Sequence, residues 1–123
     1  MADLGAHAVV SDRHHLDCSG GLVMAESATI GGVRCTVLTR GVDLETGKRT
    51  LRPVVLDRQA YVSTNCTVMP GTKLAERAVL AAGGVTALAG IYARHMLHGG
   101  VPAKPIRPID GAHFDRAEAR IGR

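Results

Sequence analysis

The chain has 123 residues, about the size of one domain, and is 46 % hydrophobic and 21 % charged, which excludes wholesale disorder. Its net charge is +4, and the basic residues, 12 Arg and three Lys, are scattered, which argues against a nucleic-acid binder with clustered charge and aromatic platforms. No apolar run approaches the ~18–20 residues of a membrane span, and the start, MADLGAHAVVSDRHH, lacks the charged-then-apolar pattern of a secretion signal, so a cytoplasmic chain is expected.

In chain order, Leu4, Val10 and Leu16 fall six residues apart, each with a residue two positions earlier that fits a small inward site: Ala2, Ala8 and His14. The stretch Cys18-Ser19-Gly20-Gly21 then inserts about two residues, and Met24 and Ile30 resume the period with Leu22 and Ala28 as partners. Gly31-Gly32 suggests one more insertion, which turns Cys35 and Val37 inward. Residues 38–53, LTRGVDLETGKRTLRP, break the period and read as a loop leaving the repeat, and long loops in compact domains are usually functional.

From residue 56 the period is clean: Leu56, Val62, Val68, Leu74 and Leu80, preceded two positions earlier by Val54, Ala60, Cys66, Thr72 and Ala78. Val, Leu and Ile form about a quarter of the chain, so five hits in one phase have a chance of roughly one in a thousand. Positions two apart on a strand share a face. A branched aliphatic with a small partner at every sixth residue therefore describes a short strand, a turn, and another short strand. Three such strands close a triangular coil, and stacked coils bury a thin column of aliphatics. A helix, with its period of 3.6, does not fit. The scarcity of aromatics, Tyr61, Tyr92 and Phe114 with no Trp, suits so narrow an interior.

After Val85 no clean period is apparent, which leaves His95 and His98 as surface residues, and GVPAKPIRPI reads as extended and Pro-punctuated. The tail GAHFDRAEARIGR fits a short helix with Phe114, Ala117 and Ile121 on one side, or a frayed end. Cys18, Cys35 and Cys66 are odd in number and widely spaced, so free thiols are expected and no metal site.

These rows, with LAAGGV followed by GGVPAKPIRPI, resemble the hexapeptide-repeat acyltransferases, among them the maltose, galactoside and polysaccharide O-acetyltransferases, over roughly residues 16–109. TRGVDLETGKR resembles that family's active-site loop. The resemblance implies an all-β fold, a left-handed parallel β-helix over 1–109 with a protruding loop at 38–53 and a tail at 110–123. It also implies a homotrimer, acetyl-CoA as co-substrate in a groove between subunits, and a small-molecule or saccharide acceptor offering a hydroxyl or amine. Ala82, Gly83 and Gly84 match positions that line the pantetheine arm. Lys104 and Arg107 match basic positions near the nucleotide end. Tyr61 and Asn65 match the acceptor side.

One position departs from the pattern. Arg40 stands where the family carries its catalytic His, and a guanidinium, protonated at any physiological pH, cannot act as the base. General-base help is typically worth ~10²–10⁴ in rate. Another group then supplies the base, from Asp43 and Glu45 in the loop and His14, His15, His95 and His98 elsewhere, with Asp43 and His15 the leading candidates, or the chemistry is lost or changed, or the chain has become a structural or regulatory trimer. His14, on an inward site, reads as a hydrogen-bonded core residue rather than a catalyst. Oligomerisation also follows from physics, since a short prism has much surface for its volume and its open ends need covering.

Overall fold

The computed structural model describes residues 1–120. The chain winds through three parallel sheets in a fixed order. The first turn is β1 (Ala2–Leu4), β2 (Val9–Val10) and β3 (His15–Leu16). The second is β4 (Leu22–Met24), β5 (Thr29–Ile30) and β6 (Thr36–Val37). A hairpin of β7 (Arg40–Val42) and β8 (Arg49–Leu51) interrupts the winding. It resumes with β9 (Val54–Leu56), β10 (Tyr61–Val62) and β11 (Thr67–Val68), then β12 (Lys73–Leu74) and β13 (Val79–Leu80), then β14 (Ile91–Tyr92) and β15 (Met96–Gly99). The chain turns back as β16 (Lys104–Pro108), antiparallel to β15, and ends in helix α1 (Ala112–Arg120).

The first sheet runs β1-β4-β9-β12-β14, the second β16-β15-β13-β10-β5-β2, and the third β11-β6-β3, which the bridge from Thr67 to Val85 extends. The coil strands β1 to β6 and β9 to β15 are two to four residues long because each row must turn a corner after its inward pair. Those pairs build the column: Leu22 and Met24, Ala28 and Ile30, Cys35 and Val37, Val54 and Leu56, and Ala60 and Val62, Cys66 and Val68, and Ala78 and Leu80 are all buried. The six-residue period thus reports the core directly. No helix among the described residues is long and apolar enough to cross a membrane.

Three sequence expectations are corrected. First, the period does not fade after Val85. Thr86, Tyr92 and His98 continue the phase of Leu80 and are buried, His98 at 1 % exposure, so His98 is a core residue and not a surface one. The change from aliphatic to polar types hid the rows. Second, the first turn keeps the predicted phase but not the burial, with Leu4 53 % and Val10 37 % exposed, because no further turn covers that face among the described residues. Third, the segment at 38–53 leaves the coil as expected, but as an ordered hairpin rather than an irregular loop, with Arg40 paired to Leu51 and Val42 to Arg49.

The extended reading of 104–108 holds as the edge strand β16, and the tail forms α1 with Phe114 buried and Ala117 half-buried. Ile121 lies outside the described residues.

The corner between the first and second sheets carries one left-handed residue per turn, His7, Ser27, Gln59, Arg77 and His95, with φ between 53° and 58° except Ser27 at 59°. The residues just before four of them alternate in charge: Glu26, Arg58, Glu76 and Arg94. Arg58 pairs with Glu26 at 3.7 Å and with Glu76 at 3.3 Å, and Glu76 pairs with His95 at 3.6 Å. Helix α1 docks on this corner. Arg58 also pairs with Glu118, while Arg77 reaches Asp115 at 3.0 Å and Glu118 at 3.7 Å and lies over the Phe114 ring. Gln59, buried, accepts from Arg77 Nε at 2.8 Å and donates to the Phe114 carbonyl at 3.3 Å.

Candidate functional site

The hairpin leaves the coil at the corner between the third and first sheets, and Thr39 fixes its departure. This fully buried side chain accepts the Gly20 N–H at 2.8 Å and donates to the Asp17 carbonyl at 2.8 Å, while its own carbonyl accepts the Arg52 N–H at 2.9 Å. A Cβ at Gly20 would come within 2.8 Å of the Thr39 carbonyl oxygen, so only glycine permits this closure. Beside the hairpin lies a groove of about 690 Å³ lined by Ser19, Arg40, Val42, Arg49, Thr50 and Leu51, with Gly41.

Arg40 is anchored there from below. Its Nε donates to Asp17 Oδ2 at 3.0 Å. Asp17 Oδ1 in turn accepts the Ser19 hydroxyl at 2.7 Å and the Ser19 N–H at 3.2 Å. These contacts, the Ser19 hydroxyl foremost, then its amide and then Arg40, hold the Asp17 carboxyl far below the usual carboxylate range. Asp17 is therefore anionic at any working pH, and it orients the guanidinium rather than exchanging protons.

Of the two candidate bases, His15 is exposed on β3, two residues from Asp17 on the same outward face. Asp43 sits in the hairpin turn, where Oδ1 accepts the Glu45 N–H at 2.8 Å and the Thr46 N–H at 3.4 Å; it does not line the groove. His14 is committed elsewhere: Nδ1 accepts the Cys35 N–H at 3.0 Å and Nε2 meets Ser11 Oγ at 2.8 Å, which makes it a structural bracket between the first two turns.

A second opening, of about 400 Å³, lies on the outer face of the second sheet, across the prism from the hairpin. It brings together Tyr61 and Arg107, 46 positions apart in sequence, with Asp110, His113 and Phe114 from the segment around α1. The Tyr61 phenol lies over Gly31, where a Cβ would approach its oxygen to 2.7 Å. Lys104 is exposed on β16 but does not line this opening.

The third cluster is the corner between the second and third sheets. Asn65, left-handed with φ 55°, donates its N–H to the Val33 carbonyl, and one turn on the Gly83 N–H donates to the Thr64 carbonyl. Asn65 and Gly83 are thus successive steps of one corner. Ala82 and Gly83 are exposed there, whereas Gly84 turns into the column, where a Cβ would meet Leu80 at 2.7 Å.

No protein-family model and no curated protein sequence matches the chain. Solved structures do. An N-acyltransferase from Bacillus cereus, AntD, in complex with dTDP-4-amino-4,6-dideoxyglucose and coenzyme A, superposes with a TM-score of 0.83 at 13 % identity over 98 % of this chain and 70 % of that one. A maltose O-acetyltransferase from Clostridium difficile gives 0.62 at 14 % identity over 88 % of this chain and 70 % of that one. A hexapeptide-repeat containing acetyltransferase from Vibrio cholerae gives 0.64 at 17 % identity over 88 % and 74 %.

The chain has the fold of the hexapeptide-repeat acyltransferases.

Identity this low carries the hexapeptide-repeat fold and not the roles of individual residues. Sequence reasoning missed Asp17, Ser19, Arg49, Asp110 and His113. The partners of Arg40 could have been found by aligning the chain in turns of 18 to 20 residues, because the Asp17 N–H bonds the Val37 carbonyl, three residues before Arg40. Nothing in the sequence signals that β16 folds back to bring Arg107 over Tyr61.

Proposed function

We propose that this chain transfers an acyl group, most simply acetyl, from acyl-CoA to a hydroxyl or amine of a small acceptor. One observation carries the reading: almost the whole chain is occupied by a fold whose solved examples above are acyltransferases, AntD among them with coenzyme A bound. The reading takes residues 1–109 as a left-handed β-helix domain with 110–123 as its tail, three copies as the working unit, and the cytoplasm, where its three thiols stay reduced, as its compartment. Ala82 and Gly83 offer exposed, uncrowded backbone to a pantetheine arm, with Gly84 supporting them from inside. Lys104 and Arg107 supply charge for its phosphates. Within one chain Tyr61 lies with Arg107 and Asn65 with Gly83, away from Arg40, so in this reading they face an acceptor held at the hairpin of a neighbouring copy.

In this scheme the acceptor proton goes to His15, an exposed imidazole beside the fixed Asp17 anion, and Arg40 orients the acceptor rather than deprotonating it. The rate supplied by an imidazole base is typically ~10²–10⁴. Calorimetric titration of acetyl-CoA into protein of verified solution mass tests the donor site. Saturable binding at one site per subunit is the expected result, and no binding at millimolar ligand would overturn the reading.

A second reading, a non-catalytic trimer serving as a binding or assembly module, is favoured by one feature: neither a carboxylate nor an imidazole lines the hairpin groove. Arg40→His discriminates. A large gain in acetyl-CoA cleavage or transfer means an intact site that lacked only its base. No change at all, with acetyl-CoA still bound, favours His15 as the base, which His15→Asn then checks by loss of rate and of its pH dependence.

A further inference from the structure

We propose that the hairpin groove is an anion site that receives the phosphoryl group of a phosphorylated acceptor. This deepens the function proposed above, and the assignment of the anion to the acceptor rests on that reading.

The argument begins with the hairpin register. Arg40 opposes Leu51 and Arg49 opposes Val42, so Arg40 and Arg49 are diagonal neighbours on one face of the ribbon. Diagonal pairs stand ~7–8 Å apart at their backbones, within reach of one another's long side chains. Two like charges so placed repel unless an anion lies between them. Neither acid of the hairpin fills that role. Asp43 is turned to the amides at the tip, and Glu45 does not line the groove.

Asp17 satisfies only part of Arg40. It takes Nε, and neither Nη nitrogen hydrogen-bonds within the described residues. The end-on edge of the guanidinium, the edge that grips two oxygens of a phosphate at once, is thus left for a ligand while the side-on edge is anchored. Arg49 has no hydrogen bond or ion pair among the described residues. Val42 and Leu51, on the same face of the ribbon as the two arginines, give the groove apolar walls. A volume of about 690 Å³ exceeds what an inorganic anion needs and leaves room for the group that carries the phosphate. A neutral saccharide would leave Arg49 and the end-on edge of Arg40 without an anionic partner.

Phosphate could also reach the groove on the cofactor itself, so the test separates the two sources. Pyrophosphate, a nucleoside diphosphate and CoA are titrated separately into the wild-type chain and into Arg49→Gln, a change at a side chain with no partner to lose. Melting curves of both confirm folding. The expected result is saturable pyrophosphate and nucleoside-diphosphate binding that weakens roughly tenfold or more in Arg49→Gln, and weakens with added salt, while CoA affinity is unchanged. A parallel fall in CoA affinity would overturn the proposal by showing that the anion is the cofactor's own. No saturable pyrophosphate binding at millimolar concentration, or equal binding by the variant, would also overturn it. Pyrophosphate binding without CoA binding would sustain the anion site and overturn only the transferase reading.

Discussion

The rows from Val54 to Leu80 and the rows from Gly84 to His98 occupy the same phase of the same coil, yet they are held together differently. The earlier rows present Leu56, Val62, Val68, Leu74 and Leu80 to the column. The later rows present Thr86, Tyr92 and His98, each tied by a hydrogen bond. Thr86 Oγ1 accepts the Met69 N–H at 2.8 Å and meets Thr72 Oγ1 at 2.7 Å. The Tyr92 hydroxyl accepts the Ala87 N–H at 2.8 Å, and His98 Nε2 bonds the Ala93 carbonyl at 3.0 Å. In the middle of the coil shape selects the aliphatic at every sixth position, although its small partner Thr72 also donates to the Met69 carbonyl at 2.7 Å. Toward its end, where β16 turns back and the stacking stops, polar side chains satisfy backbone groups that a further row would otherwise take.

The sharpest break of this comparison comes from the middle. Leu74→Ala leaves a void that neighbouring rows cannot close and should cost ~2–5 kcal/mol by denaturant unfolding. The next test runs against intuition. Thr86→Val restores the aliphatic pattern of the repeat, yet it should destabilise by ~1–3 kcal/mol, because the Met69 N–H and the Thr72 hydroxyl both lose a partner. A neutral or stabilising result would mean that the later rows are held by shape like the earlier ones.

Away from the column, Arg77→Ala removes the contacts to Gln59, Asp115 and Glu118 and the seat of the Phe114 ring together. It should release α1, seen as faster amide exchange over 112–120, with a cost of ~1–3 kcal/mol in global unfolding, since Arg77 is largely buried and the buried Gln59 loses its donor.

The smallest effect is a pH dependence. Burial pushes the Cys66 thiol from its usual 9.0 up to about 11. The folded chain therefore holds this proton where the unfolded chain has released it. Its contribution is complete below pH 9 and declines as pH rises through about 11. Unfolding curves between those values should show a shallower decline in Cys66→Ala than in the wild type.

What the sequence revealed follows from the same comparison. The rows of Leu22 to Val37 and Val54 to Leu80 were legible because burial selects aliphatics at a fixed step. Thr86, Tyr92 and His98 keep the step but not the type, so a search for aliphatics loses them. The hairpin strands were illegible because both of their faces reach solvent, and a strand without a buried face has no reason to alternate. The arginine at position 40 was visible, but its partner was not. The Asp17 contact depends on how many residues each corner absorbs, and the insertions near Gly20 and Gly31 shift that count. Arg107 meets Tyr61 only through the reversal into β16, a tertiary event with no local pattern.

A column of near-identical rows has a weakness that its aliphatic interior cannot mend. The aliphatic rows fit closely on one another, so a chain that skips one of those turns while folding would find a core nearly as good. The corner residues Glu26, Arg58, Glu76 and Arg94 remove that degeneracy. Neighbouring strands stand ~4.8 Å apart, so a skipped turn would set Glu26 against Glu76, or Arg58 against Arg94, at close range. The alternating charges work as a row counter, written on the outside of a stack whose inside cannot count.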